Sequence, residues 1–421
     1  MTESATGLTR YPDRAKAATE ADEFLLLACL RYCPDDGADQ WARASALLDA
    51  HPGIRAATVH TAAACADVSA LRALLGADPG LARTEGGPFD WPPLLYLAYA
   101  RHDNEVTEAA AVGGARLLLD AGADPNAGYL WHGDTPPFTA LTGALGGGER
   151  GDDDQPRHPQ AIPLARALLA AGANPNDGQA LYNRMFGRDD DHLALLLECG
   201  LGRGDREPWS SRLGVELEGP AGLLADQLGW AILHDHPARV ALLLDGGAAP
   251  DRRLRGGRTP LELATVYGKT DAARLLRAAG APGPDLDAVD RLMAAGMIAD
   301  RPTAAALLDE HPDLVAAAVA RHPSAILRAT GAGNACAVLL LAELGFDVDA
   351  LGRADLPIEE PWETALHEAA GAGNGDLVTL LLRLGADPSV RDHRFGSTPA
   401  DWAAHFGHSI SELGPPPRGR V

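Results

Sequence analysis

Apolar positions in this chain come in short clusters, cut at recurring places by glycine and proline. The longest runs, such as residues 24–30, fall far short of the ~20 residues needed to cross a bilayer. The phrase LLDAGADPN (118–126) recurs as LLAAGANPN (168–176), LLDGGAAPD (243–251) and LLRLGADPS (381–389), with degenerate copies at 196–200, 275–281 and 340–347. A second phrase stands ahead of several copies: TPLELATVYGKTD (259–271), TALHEAAGAGNGD (364–376) and TPADWAAHFGH (398–408). Each couple reads as two short helices. Thr259 caps the first, and Pro260 takes the first helical position, where its missing N–H costs nothing. Ala264 is small enough to let two helices approach closely. Gly268 supplies the turn, and Gly280 ends the second helix in a left-handed cap. Gly247 and Gly280 are 33 residues apart and Thr364 and Thr398 are 34 apart, so units of one period each bury an apolar face against their neighbours.

Departures from that period are informative. ALLDAHPGI (46–54), ALLGADPGL (73–81) and ALLDEHPDL (306–314) replace the glycine ending with a proline stop, and the first and third are near copies 260 residues apart, which hints at block duplication. Gly122 to Gly172 spans 50 residues and Gly200 to Gly247 spans 47, so inserted loops interrupt the array. One, 146–160, has the composition of a solvated loop; another, 202–222, carries Trp209; a third, 101–115, lengthens the link between the helices of its pair. The segment APGPD (281–285) is the seam between sub-stacks.

The two phrases resemble the ankyrin repeat, whose pattern is T-P-L-H-x-A-A-x-x-G, a second helix, and then L-L-x-x-G-A-D. The resemblance covers roughly residues 24–410 and is most specific at 259–282 and 364–388. It implies an all-α ankyrin-repeat solenoid of about ten helix pairs, with finger loops and two to three inserted loops. The organisation expected is an N-terminal tail (1–23), a first block with the N-terminal cap and the inserts (24–282), a second block with the C-terminal cap (283–410) and a C-terminal tail (411–421). The resemblance further implies a non-catalytic recognition module that holds a protein or peptide in its concave groove. It gives His60 and His367 the role of hydrogen-bonding the backbone between neighbouring units.

Charge narrows the choice of partner. The chain has 58 acidic against 36 basic residues, a formal net charge of −22, which argues against nucleic acid and anionic membranes, where affinity comes from basic patches. Aromatic residues are 5 %, so Ala, Leu and Val must fill the core. Cys29, Cys33, Cys65, Cys199 and Cys336 are scattered and contain no C-x-x-C pair, a usage that fits a reducing, cytoplasmic setting. Residues 1–23 lack the apolar core of a signal peptide. Lys16 and Lys269 are the only lysines; so strong an arginine bias reads mainly as the mark of a high-GC, bacterial genome.

No catalytic or cofactor motif stands out. YGKT (267–270) would need glycine at 263 to be a phosphate loop, where Leu263 stands, so it reads as the turn between helices. GLGRG (200–204) follows a helix rather than a strand. In DDDH (189–192), Asp190 or Asp191 reads as a helix cap, and HDH (234–236) sits at a helix end beside Pro237. The expectation is therefore no metal and no cofactor.

The aromatic distribution carries the candidate site. Seven of the 21 Phe, Trp and Tyr residues lie within 89–138, where an even spread would put about 2.5. The repeat frame turns Tyr96 and Thr139 toward the groove, with Tyr129, Trp131, His132 and Asp134 on the preceding finger. The same frame exposes Trp230 and His234. With Trp91, Tyr99 and Trp209, and with Arg258 on the arginine-rich finger 251–258, these form the candidate binding set. Two alternatives stay open. In one, the tryptophans pin inserts to the scaffold and fill core gaps. In the other, segments 91–134 and 209–234 enclose a small molecule, with His132, Asp134 and His234 moving protons without metal or nucleotide cofactor.

Overall fold

The computed structural model describes residues 6–103, 105–204, 208–353 and 360–414. Residues 1–5 and 415–421 of the two expected tails, and 205–207 of the second expected insert, lie outside the described residues. The chain divides into two compact units, Met1–Gln227 and Leu228–Val421. Among the described residues are 24 α-helices and three short strands, and no helix is long and apolar enough to cross a membrane.

In the first unit the helix pairs are α1 (Glu20–Ala28) with α2 (Ala38–Ala50), α3 (Val59–Ala64) with α4 (Val68–Ala77), and α5 (Pro93–Tyr99) with α6 (Glu108–Asp120). Next, α7 (Ala140–Leu145) and the single turn α8 (Gly151–Asp154) precede α9 (Ala161–Ala170), and α10 (Gly178–Met185) pairs with α11 (Asp191–Glu198). A short α12 (Pro208–Leu213) leads to α13 (Pro220–Leu233), within which the division between units falls, and to α14 (Pro237–Asp245). The second unit continues with α15 (Pro260–Val266) and α16 (Thr270–Ala278), α17 (Ala288–Met297) and α18 (Arg301–Glu310), and the single α19 (Leu314–Arg321). It ends with α20 (Ala325–Gly331) and α21 (Ala335–Glu343), α22 (Ala365–Gly371) and α23 (Gly375–Arg383), and α24 (Pro399–His405). First helices pack on first helices: α3, α5, α7 and α10 in the first unit, and α15, α17, α20, α22 and α24 in the second. The segment 281–285 lies inside the second unit, between α16 and α17.

The local chemistry is as the repeat phrases require. Thr259 accepts the Glu262 amide while the Glu262 carboxylate accepts the Thr259 amide, and Thr398 and Asp401 form the same reciprocal cap. Gly268 and Gly280 have φ of +69° and +86°, where a side chain would be strained. The leucine four residues before each repeat glycine is sealed in every copy: Leu118, Leu168, Leu196, Leu243, Leu276, Leu341 and Leu381 are all 0 % exposed. Each such burial is worth about 1.5–3 kcal/mol. His60 Nε2 donates to Thr84 O at 2.9 Å and His367 Nε2 to Ser397 O at 3.0 Å, each reaching the loop before the next first helix. His367 Nδ1 accepts from Thr364. His367→Ala should therefore cost about 1–3 kcal/mol of stability, measured by urea unfolding, and leave binding by the folded fraction unchanged.

The first unit carries three additions. The finger of the α7 pair is a hairpin, β2 (Gly128–Trp131) antiparallel to β3 (Phe138–Thr139), with Tyr129 opposite Phe138. The N-terminal segment, read from sequence as a tail, supplies β1 (Thr9–Arg10), parallel to β2 with Arg10 opposite Trp131. The third addition is the loop 29–36 between α1 and α2, which lies across the first-helix layer. Cys29 bridges Ala100, and Leu30 N donates to Tyr99 O at 2.9 Å. Tyr32 sits edge-on to Tyr99 and Phe138 and accepts from Asn183 of α10 at 2.9 Å. The Arg150 guanidinium holds the carbonyls of Cys33 and Pro34. Asp36, 4 % exposed, locks the loop by accepting from the amides of Arg31 and Cys33.

Two of the expected inserts are corrected. Segment 146–160 is not simply solvated: Gln155 and His158 are buried, and His158 N donates to Ala144 O. Arg101, 2 % exposed, explains why. Its guanidinium donates to the carbonyls of Ala98 (3.0 Å), Ala100 (2.9 Å), Gly143 (2.6 Å) and Pro156 (2.8 Å), tying the ends of α5 and α7 to the insert. Segment 101–115 is not all linker either, since α6 begins at Glu108 and takes up its second half.

Candidate functional site

The dense aromatic cluster belongs to the core. Trp91, Tyr96 and Tyr99 are 0 % exposed and Tyr129 is 1 % exposed. Trp91 packs against Phe89, Tyr99 and Tyr129 at centroid distances of 4.5–5.1 Å. Tyr96 Oη donates to Gly86 O and Tyr99 Oη to Thr139 O. A Cβ on Gly143 would stand 2.3 Å from the Tyr99 ring, so glycine there lets α7 close on it. The frame that turns Tyr96 to an open groove is thereby corrected: every residue of α5 is buried, because His60 and the finger residues Gly86, Phe89 and Trp91 close on Tyr96 and the loop 29–36 lies on Tyr99 and Ala100. Thr139 is buried as well. It caps α7 and donates to Asp177 at 2.5 Å.

The other candidates in this unit have partners within the chain. Trp209 is 1 % exposed and its indole N–H donates to Asn126 O at 3.1 Å, pinning the second insert to the finger. Trp131 is half-buried and donates to Arg31 O. At the hairpin tip, His132 pairs with Asp13 at 2.7 Å rather than with Asp134, which is exposed. The proton-transfer set His132, Asp134 and His234 is not assembled within the first unit, since His234 belongs to the second. Asp189, Asp191 and His192 have ligand atoms within 4.8 Å of one another, but Arg157 and Arg184 already pair with the two carboxylates. Asp190 stands at the cap position of α11 without a side-chain cap bond, and Asp191 accepts the amide of His192.

Arg258 is not a rim charge awaiting an anion. It grips Asp290 with two bonds, 2.5 and 3.0 Å, and Asp290 also faces His322 at 3.2 Å. Asp290 is held below the ordinary carboxylate range by Arg258 and His322, against the upward push of burial.

Clefts of about 450 and 400 Å³ lie beside the 146–160 insert and between the fingers at Asn126 and Asn176 in the first unit, and one of about 430 Å³ opens in the second unit where successive first helices meet their turns. The end of α13 contributes His234 and Asp235, the α15–α16 turn Tyr267 and Lys269, and α17 Met297. Arg328 comes from α20, and Trp362, Glu363 and Glu368 from the start of α22 and the residues before it. His234 stacks on Trp230 one helical turn earlier, with centroids 3.5 Å apart, so these two candidates do lie together, His234 lining the cleft and Trp230 behind it. The Arg328 guanidinium lies 5.1 Å over Tyr267. The guanidiniums of Arg353 and Arg394 lie 4.4 and 4.6 Å from the centre of the Trp362 ring; such contacts contribute about 0.5–1 kcal/mol each at exposed sites. Lys269 is half-buried, and burial lowers its ammonium's pKa, opposed by Asp235. Of these residues the sequence singled out only Trp230 and His234. Lys269 was visible as one of two lysines in a chain with 36 basic residues, whereas nothing local marks Arg328 or Trp362.

Comparison with known proteins agrees with the repeat phrases. The family model described as ankyrin repeat matches residues 362–393. Among solved structures, the chain is similar to the human ASB11 ankyrin repeat domain, with 25 % identity over 44 % of this chain and 80 % of that one, at a TM-score of 0.25. It is also similar to the ankyrin repeat domain of Bcl-3, described as a unique member of the IkappaB protein family, with 25 % identity over 53 % and 92 % and a TM-score of 0.24. No curated protein matches. The matched repeat at 362–393, the sealed leucines and the two histidines that reach the next loop give this chain an ankyrin-repeat fold.

Proposed function

We propose that the protein is a non-catalytic recognition module that seats a protein or peptide partner on the first-helix face of its second unit. Ankyrin repeats serve generally as protein-interaction modules, but a fold leaves the site to be argued. One observation carries the choice of face. In the first unit that layer is covered by the chain's own loop 29–36, with Tyr32 against Tyr99 and Asn183. In the second unit the corresponding turns leave a cleft bordered by half-exposed His234 and Trp362, with half-exposed Trp230 stacked on His234. Large aromatics beside charged groups are the usual anchors of an interface.

Affinity capture from native lysate, with mass spectrometry for proteins and metabolites, tests the reading on wild type and three variants. Trp230→Ala and Trp362→Ala should each lower capture about 30- to 1,000-fold, the cost of losing an interface anchor, with melting temperatures near that of the parent. Trp131→Ala should capture normally, because that indole is spent on Arg31 O. Normal capture by both cleft variants and loss in Trp131→Ala would return the site to the first unit. A small molecule is the second reading, favoured by a volume in the range of ligand sites. It wins if a metabolite and no protein is captured in a cleft-dependent way.

A further inference from the structure

We infer that Lys269 is a reactive amine and that its cleft is a covalent capture site for aldehydes with a flat apolar body. Three observations meet on this residue. First, Lys269 occupies the N-cap of the second helix in its pair, where other pairs place Asp67, Asp300, Asn334 or Asn374, each accepting a backbone amide of its helix. Lys269 makes no such bond. Gln160, Asp190 and His236 leave the same position uncapped, so the lysine is free of capping duty at a site where Asp or Asn can supply a cap.

Second, among the described residues its ammonium has no hydrogen-bond or ion-pair partner, in a chain with 58 carboxylates. Third, it lines an open cleft in which the Trp362 ring is half-exposed, a face on which a planar ligand can stack, backed by the buried Tyr267 and Met297. The charged and titratable groups facing it from the neighbouring elements are His234 and Asp235, Tyr267, Arg328, and Glu363 and Glu368. Desolvation lowers the lysine's pKa against the pull of Asp235, and the positive end of α16 acts in the same direction as desolvation. The neutral amine is the nucleophile. Its lone pair attacks the aldehyde carbon, a proton passes from nitrogen to oxygen, and the carbinolamine loses water to leave the C=N bond of an imine. Nothing is oxidised or reduced.

The test uses the full chain and pyridoxal, with the imine fixed by borohydride and located by peptide mapping. The only competing amines are Lys16 and the chain's N-terminus. At neutral pH, Lys269 should be labelled several-fold faster than Lys16, its rate should level off at lower pH, and the preference should vanish in urea. Equal rates in the folded protein, or slower labelling of Lys269, would overturn the inference. Lys269→Asn restores the cap seen at Asn334 and Asn374, so it should melt no lower than the parent and carry label on the other amines alone. A clear fall in its melting temperature would mean that Lys269 serves the fold rather than a ligand, and would equally overturn the inference. Protein capture by Lys269→Asn is read separately, so this site and the docking face stand or fall independently.

Discussion

Arg101→Met should lower the unfolding free energy of the first unit by about 3–5 kcal/mol, the largest effect expected of any single substitution described above. The methionine fills the stem's volume but leaves the carbonyls of Ala98, Ala100, Gly143 and Pro156 facing apolar surroundings. Orphaning one buried acceptor costs about 1–3 kcal/mol, and local relaxation keeps four such costs from adding in full. The guanidinium itself has no carboxylate partner among the described residues. Burial drags its pKa down to about 10, so it remains charged at neutral pH. Urea unfolding with hydrogen exchange on α5 and α7 would measure the change. Arg166→Met, which breaks only the exposed pair with Glu198, should leave the curve in place. If both variants behave alike, the account of Arg101 as the tie between α5, α7 and the insert fails.

Acidification should be the other severe perturbation, and it should strike the same region. Burial holds the His102 imidazole down to about 4 and, with Arg101 and His102 nearby, that of His158 down to about 3. Unfolded, both return to about 6.5. Below that value the unfolded chain binds protons that the folded one refuses, so stability falls as pH drops. The loss continues to about 4 for His102 and about 3 for His158. Above pH 7 neither residue contributes a slope. Each unit of window costs about 1.4 kcal/mol per histidine, so a few kcal/mol are lost by pH 4.5. Urea midpoints at pH 7 and pH 4.5 would show it. His158→Asn keeps an acceptor for the Gln160 amide, which now donates to Nδ1 at 2.9 Å, and should flatten part of the slope. An unchanged slope in that variant would exonerate His158.

The candidate site divides along a physical line. The sequence places Trp209 on an insert and Arg258 on a finger, but each is committed to a partner that spacing does not reveal. Trp209 goes to Asn126, 83 residues earlier, and Arg258 to Asp290, 32 residues later. The aromatic excess in 89–138 is real, and its cause is the core: a first helix covered on every side needs larger side chains than the alanines that suffice between two helices.

Local chemistry was therefore decided by the sequence alone. Helix starts at Thr259 and Thr398, turns at Gly268 and Gly280, sealed leucines and bridging histidines all depend on residues within one or two repeats, and the repeat phrases carry them entire. Which face of the stack is free was decided only by the tertiary structure. The loop 29–36 reaches Tyr99 and Asn183, some 70 and 150 residues downstream, and the cleft at Lys269 is assembled from turns between residues 233 and 368. A helix's periodic pattern reports that one side is buried against its neighbours. It says nothing of a distant segment laid over the opposite side, because that contact is made by folding and leaves no period in the chain.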